Sequence, residues 1–302
     1  MLGNMAYHPV AMAALLLATT CSLTLSACKP DGGNGGALPA ANTHASLTSS
    51  CYDDPLVAQS VHGVHRTAVN EVVVLYDRTT PLPEDVLRAV ERDLATLIQP
   101  RTQFTLASFS TYSAAEHNRI ELSFFVDPPL SDDQTENAGM GAMRRLNSCL
   151  AARGQAIQTT LQTKIRQLAE SATTNSQRSD IVAAVTAFGQ QFSNSHARHR
   201  TFVLISDLLE NSSVSSFYSN GTMRTIDVTQ ELAKFDRAGL TPRLVGARVF
   251  VVGAGIVPAG AENMRSNDEM RALTQFWTQI FTNGGAESVQ IGQPLLLTPV
   301  AQ

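Results

Sequence analysis

The sequence predicts a three-layer α/β fold, a mainly parallel central sheet with helices on both faces, Rossmann-like in outline. Three observations carry this. Strand-like apolar runs alternate with helical segments over residues 71–291, the pattern of a wound parallel sheet. Three runs, Glu71–Tyr76, Thr201–Ile205 and Ala247–Val252, are nearly unbroken in apolar residues, as strands covered on both faces are. Two of them are followed within two residues by an acid, Asp77 and Asp207, at the strand ends where such sheets bind ligands.

Glu71–Tyr76 is the first strand. Pro83, Glu84 and Asp85 then open a helix, with proline and acids in its first turn. Val86, Leu87, Val90, Leu94, Leu97 and Ile98 recur on one face, and Pro100 stops it. Gln103–Ser110 and Arg119–Val126 alternate in part, which suits a hairpin near a sheet edge. A long helix over Ala142–Ala172 carries the stripe Met143, Leu146, Leu150, Ile157, Leu161, Ile165 and Leu168. Helices over Ile181–Phe192, Val228–Phe235 and Asp268–Phe281 alternate with strands at Thr201–Ile205, Ala247–Val252 and Ser288–Ile291. Trp277 and Phe281, four apart on the last helix, are expected in the core. The polar stretches 127–141 and 210–226 read as long loops, both expected near the carboxyl edge.

The chain has 302 residues, 43% hydrophobic and 16% charged, an ordinary balance for one large domain. A net charge of -4 without a basic stripe argues against a nucleic-acid partner. Residues 9–27 are uncharged and rich in Ala and Leu, short for a span and ending in small residues, as a signal peptide does. The preceding eight residues hold no Lys or Arg, which is atypical. Leu25-Ser26-Ala27-Cys28 resembles a bacterial lipobox, which implies a signal peptide over 1–27 and a lipidated Cys28 with a palmitate-type anchor. Lys29, where inner-membrane lipoproteins carry aspartate, implies the periplasmic face of the outer membrane. Residues 28–50 read as a flexible tether. Cys21 leaves with the signal, so Cys51 and Cys149 remain. In an oxidising compartment the expectation is a disulfide; the alternative is two free thiols.

The stretches "VVVLYDRTT", "SDIVAAV" (Ser179–Val185), "FVLISDLLEN" (Phe202–Asn211) and "VFVVGAG" (Val249–Gly255) follow in the order seen in von Willebrand factor type A domains. The resemblance spans about residues 66–292, with a helical insertion around 127–175, and makes 51–302 one type A-like domain. It implies a metal-ion-dependent adhesion site in altered form. Asp77 matches its first acid, Thr79 its first hydroxyl, Ser179 its second-loop hydroxyl and Asp207 its third-loop acid. Pro81 replaces a serine ligand, and Leu208 replaces the glycine that usually follows the third-loop acid. Mg²⁺ or Mn²⁺ is the implied ion, because hydroxyls and carboxylates are hard donors. Without metal, Asp77 and Asp207 would bind loop amides, and Ser179 would cap the helix after it.

Asp77-x-Thr79 with Ser206 also resembles the first motifs of haloacid-dehalogenase-type phosphatases, but "VVGAG" lacks their acidic pair. "GAGIVPAG" places Pro258 where a dinucleotide fingerprint needs its third glycine, so no nucleotide is expected. His196 and His199 lack a third ligand nearby, and His62 and His65 are expected at the surface. The reading is therefore a lipid-anchored envelope protein, not an enzyme, whose loops engage a protein or cell-wall partner. The alternative is a structural subunit of a secretion or conjugation assembly.

Overall fold

The computed structural model describes residues 47–110, 118–173, 178–219, 222–257 and 265–300. The expected signal peptide, the expected lipidation site Cys28 and the expected tether through residue 46 lie outside the described residues. A 3-10 turn at Cys51–Asp53 leads into α1 (Pro55–Ser60). Then come β1 (Asn70–Asp77), α2 (Glu84–Thr96), β2 (Thr102–Phe109), β3 (Asn118–Phe125), α3 (Asp132–Asn137) and α4 (Met140–Ser171). They are followed by α5 (Ile181–Ser193), β4 (His199–Ile205), the small strands β5 (Tyr218–Ser219) and β6 (Thr222–Met223), and α6 (Val228–Arg237). The last elements are β7 (Ala247–Val252), α7 (Asn267–Asn283) and β8 (Ser288–Ile291).

The main sheet runs β3-β2-β1-β4-β7-β8. Every pairing is parallel except β2 with β3. Counting only these six strands, the order is 3-2-1-4-5-6, that of a doubly wound sheet. Its two faces carry two cores. Val73, Leu75, Phe202, Leu204, Val249 and Val251 meet α5 and α7 on one side. Val72, Val74, Tyr76, Phe104, Leu106 and Ile205 meet α2 and the second half of α4 on the other. Alternate residues of β1 thus serve opposite cores, which is why its apolar run is unbroken. Trp277 and Phe281 are fully buried, as expected.

Leu47 is 2% exposed, so the last four residues of the expected tether belong to the body. Cys51 and Cys149 form a disulfide. Beside it Tyr52, Val57, Val61 and Leu146 build a third, small core. Asp127 is its polar anchor. Its carboxylate accepts from Ser50 Oγ (2.9 Å), the Cys51 N–H (2.9 Å) and Arg153 (2.5 Å), and Arg153 also donates to the carbonyls of Leu47 and Phe125.

Three expectations need correction. The stretch 127–141 does not leave from the carboxyl edge. Because β3 is antiparallel, its end returns to the start of β2, where the Val126 N–H meets the Thr102 carbonyl at 2.9 Å. The same stretch holds the helix α3, capped by Ser131. The stretch 210–226 does leave from the carboxyl edge, but it contains the β5–β6 pairing. The sequence between those strands, Asn220-Gly221, is a hairpin signal.

Candidate functional site

Asp77 is the last residue of β1, and Ser206 is the first beyond β4. The register pairs Tyr76 with Ile205, so the next residues, Asp77 and Ser206, stand side by side at the carboxyl edge. Ser206 Oγ donates to Asp77 Oδ2 at 2.8 Å. Ser179 Oγ donates to the same oxygen at 3.2 Å. On the other oxygen, Oδ1, the Thr79 N–H (2.9 Å) and Thr79 Oγ1 (2.6 Å) both converge. Thr79 and Ser179 hydroxyls are themselves 3.2 Å apart. Asp77 is fully buried beneath them.

Ser179 does not cap a helix. The N-cap of α5 is Asp180, which makes no side-chain cap bond. The orphan N–H of Val182 is taken instead by Glu210 Oε2, 2.9 Å away, from the loop after β4. Two backbone bonds of 2.9 Å between Ser179 and Asn211 join the same two segments. The hydroxyl of Ser179 is therefore turned to Asp77 because its neighbours are fastened to the third loop.

That loop is held by a tight turn. Leu208 N–H donates to Ser206 Oγ (3.0 Å), and Leu209 N–H to Asp207 Oδ1 (2.9 Å). Leu208 sits at φ 66°, a left-handed backbone that costs a leucine about 1–3 kcal/mol. This is the position where the resembling family carries glycine. The conformation is kept because the Leu208 side chain is buried and Trp277 Nε1 donates to its carbonyl at 2.8 Å. Thr80 Oγ1 accepts the Asp207 N–H at 3.2 Å, so it braces the third loop while Pro81 contributes no oxygen.

Burial raises the Asp77 carboxyl above its ordinary range, against the pull of its hydroxyl and amide donors. Burial, then the charge of Asp77, pushes Asp207 up to about 7. Burial pushes Glu210 up to about 8. Burial thus disfavours the charge of both acids, a cost that a retained proton or a bound cation would relieve. The donors are all oxygen, from Thr79, Ser179 and Asp207 at the rim with Asp77 behind the hydroxyls, and this set fits a hard divalent ion completed by water or a partner's acid. Among the described residues no group of three or more His, Cys, Asp or Glu is placed to hold a metal, so the hydroxyls are indispensable to such a site.

All four expected site residues come together at one edge. Thr80, the residue next to Pro81 that could have substituted for the missing serine, instead turns its hydroxyl to the Asp207 N–H; Ser206, Glu210, Tyr218 and Arg265 were not expected there as part of a cation site. Tyr218, on β5, has its hydroxyl raised by burial and then by the charge of Asp207. His62, His65, His196 and His199 stand elsewhere; His199 begins β4 at its amino end.

Comparison with known proteins adds little. No family model matches the sequence, and no curated protein does. Among solved structures, an aerotolerance-related membrane protein from Bacteroides fragilis is 15% identical, covering 74% of this chain and 92% of its own, with a TM-score of 0.34. The conserved hypothetical protein BatB from Bacteroides thetaiotaomicron is 14% identical over 72% and 88%, with a TM-score of 0.33. The PilB minor pilin from Streptococcus sanguinis is 11% identical over 75% and 57%, at 0.37. Likenesses at these scores decide nothing. The fold rests on the molecule's own topology: three layers built on a mainly parallel six-stranded sheet. Among the described residues no helix is long and apolar enough to cross a membrane.

Proposed function

We propose that this protein is a lipid-anchored component of the bacterial envelope that binds a protein or cell-wall partner through the loops at its carboxyl edge. A divalent cation, Mg²⁺ or Mn²⁺, joins the two. The observation that carries this is that Asp77, Thr79 and Ser179 are bonded together while Asp207, next to the Asp77-bound Ser206, is tied by its N–H to Thr80, so three separate loops meet at one edge. Thr79, Ser179 and Asp207 would hold the ion and Asp77 would orient the two hydroxyls. The anchor rests on the pattern Leu25–Cys28.

Binding is favoured over phosphoryl transfer because Asp77 is a poor nucleophile. It is fully buried, both its oxygens are saturated with donors, and its charge is disfavoured. Calorimetric titration of the full-length protein in detergent with Mg²⁺ and Mn²⁺ tests the cation. Binding lost in D207N is expected, and silence at millimolar ion would end this part of the reading. Radiolabelled palmitate incorporation, abolished by C28S, tests the anchor. Absence of turnover on a generic phosphate ester is expected for the same preparation.

A further inference from the structure

The sheet collects at its amino edge a set of arginines that the sequence scatters. Arg101 precedes β2, Arg198 and Arg200 flank the start of β4, Arg243 lies in the turn before β7, and Arg248 is the second residue of β7. Backbone bonds join these places into one rim. The N–H groups of Arg198 and His199 donate to the Val69 carbonyl (2.8 and 3.0 Å), and the Val69 N–H donates to the Arg101 carbonyl (2.9 Å). Arg200 joins the next two turns, Nη2 donating to the Ser195 carbonyl (3.0 Å) and Nη1 to that of Val245 (3.1 Å). His196, Arg198, His199 and Arg243 are exposed, and Val245 in the same rim is 61% exposed. Glu71 is level with Arg200 on β1, and the Glu287 N–H bonds the Ala247 carbonyl. Even so, among the described residues none of these five arginines forms an ion pair, and the side chains of Arg198 and Arg243 bond nothing. Arg200 Nε and Arg248 Nη2 have no acceptor. A chain of net charge -4 thus carries a basic rim at one end. The chain enters the body on this side. Arg153 Nη2 donates to the carbonyls of Leu47 (2.8 Å) and Phe125 (2.9 Å), and Phe125 pairs with Gln103, two residues beyond Arg101. The acids of the candidate site stand at the opposite ends of the strands, about 25 Å away along β1.

Other candidates carry less. The cleft between α2 and α4 has a volume of about 300 Å³ and is lined by Glu91, Gln155, Gln158 and Gln162. The unpartnered Glu91 Oε1 is itself closed to solvent, so no ligand group reaches it. Glu231, paired to Arg224 and Lys234, fastens the loop before α6 and offers no open face.

We propose that this amino edge docks on the anionic phospholipid headgroups of the membrane that holds the anchor. This rests on the lipid-anchor reading above and adds an orientation to it. Cys28 lies nineteen residues before Leu47, so the point of entry stands at most about 65 Å from the bilayer even at full extension. Basic side chains within about 10 Å of an anionic surface are drawn to it. Arginine suits a phosphodiester because its planar fork offers two parallel N–H donors. Val245 adds an apolar contact among the headgroups. Docked in this way, the edge that carries Asp77 and Asp207 faces away from the lipid and toward a partner.

The full-length protein in lipid nanodiscs tests it. Phenylglyoxal modifies exposed arginines and diethyl pyrocarbonate exposed histidines, both read by mass spectrometry. Arg198, Arg243 and His199 are expected to react several-fold more slowly in phosphatidylglycerol discs than in phosphatidylcholine discs at low salt. Salt at about 0.5 M should abolish the difference. Arg178, whose side chain is 50% exposed beside Ser179 at the far edge, should react alike in both. R198E/R243E should remove the protection of His199, and the fold should stand, since neither arginine side chain holds a bond. Equal reactivity in the two lipids, or protection of His199 that survives R198E/R243E, overturns the docking. Equal protection by soluble glycerophosphoglycerol assigns the rim to small anions and overturns the membrane as its occupant. Palmitate incorporation judges the anchor separately. An unlipidated chain that phosphatidylglycerol still protects keeps the docking and ends the anchor; a lipidated chain without protection does the reverse.

Discussion

Ser206 Oγ donates to Asp77 Oδ2 at 2.8 Å and, in the same turn, accepts the Leu208 N–H at 3.0 Å. One hydroxyl thus connects the end of β1 to the loop after β4. The relationship makes the edge a single polar unit rather than two neighbouring loops, and it governs how the site responds to charge.

Stability should fall as pH rises across the neutral range. The carboxyls of Asp207 and Glu210 titrate near 7 and 8 in the folded protein, against ordinary values of 3.8 and 4.5. Between those limits the folded chain retains protons that the unfolded chain has released. The slope of unfolding free energy with pH is therefore negative there. The contribution is fully present below about pH 4 and lost by about pH 8. Urea unfolding with chelator from pH 5 to 8.5 measures it. E210Q should flatten the upper part of the curve and D207N the lower part.

Replacing Leu208 with glycine should destabilise the fold despite relieving its backbone. Loss of a fully buried leucine costs about 2–5 kcal/mol, whereas the left-handed conformation costs about 1–3 kcal/mol. A net loss of about 1–2 kcal/mol follows, read as a lowered urea midpoint. A gain in stability would mean that the leucine side chain contributes little to the core.

Arg153→Met should cost about 3–5 kcal/mol, the usual penalty for leaving one member of a buried pair alone. Asp127 would keep only Ser50 Oγ and the Cys51 N–H as close partners, with Arg66 at 3.6 Å. Thermal unfolding and protease sensitivity near residue 50 report the change.

Cys149→Ser should lower stability by about 2–5 kcal/mol, because the disulfide closes a long loop of the unfolded chain. The same shift should follow from reductant in the parent and be absent in the variant, which separates the bond from the packing of the small core.

Much of this was legible in the sequence. The unbroken run Val72–Tyr76 declared a strand buried on both faces, and the acids after β1 and β4 fell at the expected edge. Asp77, Thr79 and Asp207 were found because they stand just past strand ends, and Ser179 because it opens a recognisable stretch at the start of α5. Ser206 could have joined them, since parallel neighbours place residues after matched strand ends side by side. Glu210 could not, because its role depends on a loop folding back to the start of α5. Arg265 likewise reaches the edge only by donating to the carbonyl of Gly255, whose N–H bonds the Asp207 carbonyl. The direction of the 127–141 stretch was misjudged although the hairpin expected of Gln103–Ser110 and Arg119–Val126 already implied it: the second strand of a hairpin runs back to the amino edge.

The disulfide joins residues 98 apart in sequence, and β1, β2, β3 and α2 all lie within that interval. Tension applied between Leu47 and the far end of the chain would pass covalently from sulfur to sulfur into α4 and bypass the enclosed segment. Asp77 and Thr79 lie inside the covalently bypassed interval, while Ser179 and Asp207 lie beyond Cys149. Covalently, pull on the chain would therefore reach the carboxyl edge through the Ser179 and Asp207 side, and pass to Asp77 only across hydrogen bonds, those between β1 and β4 among them.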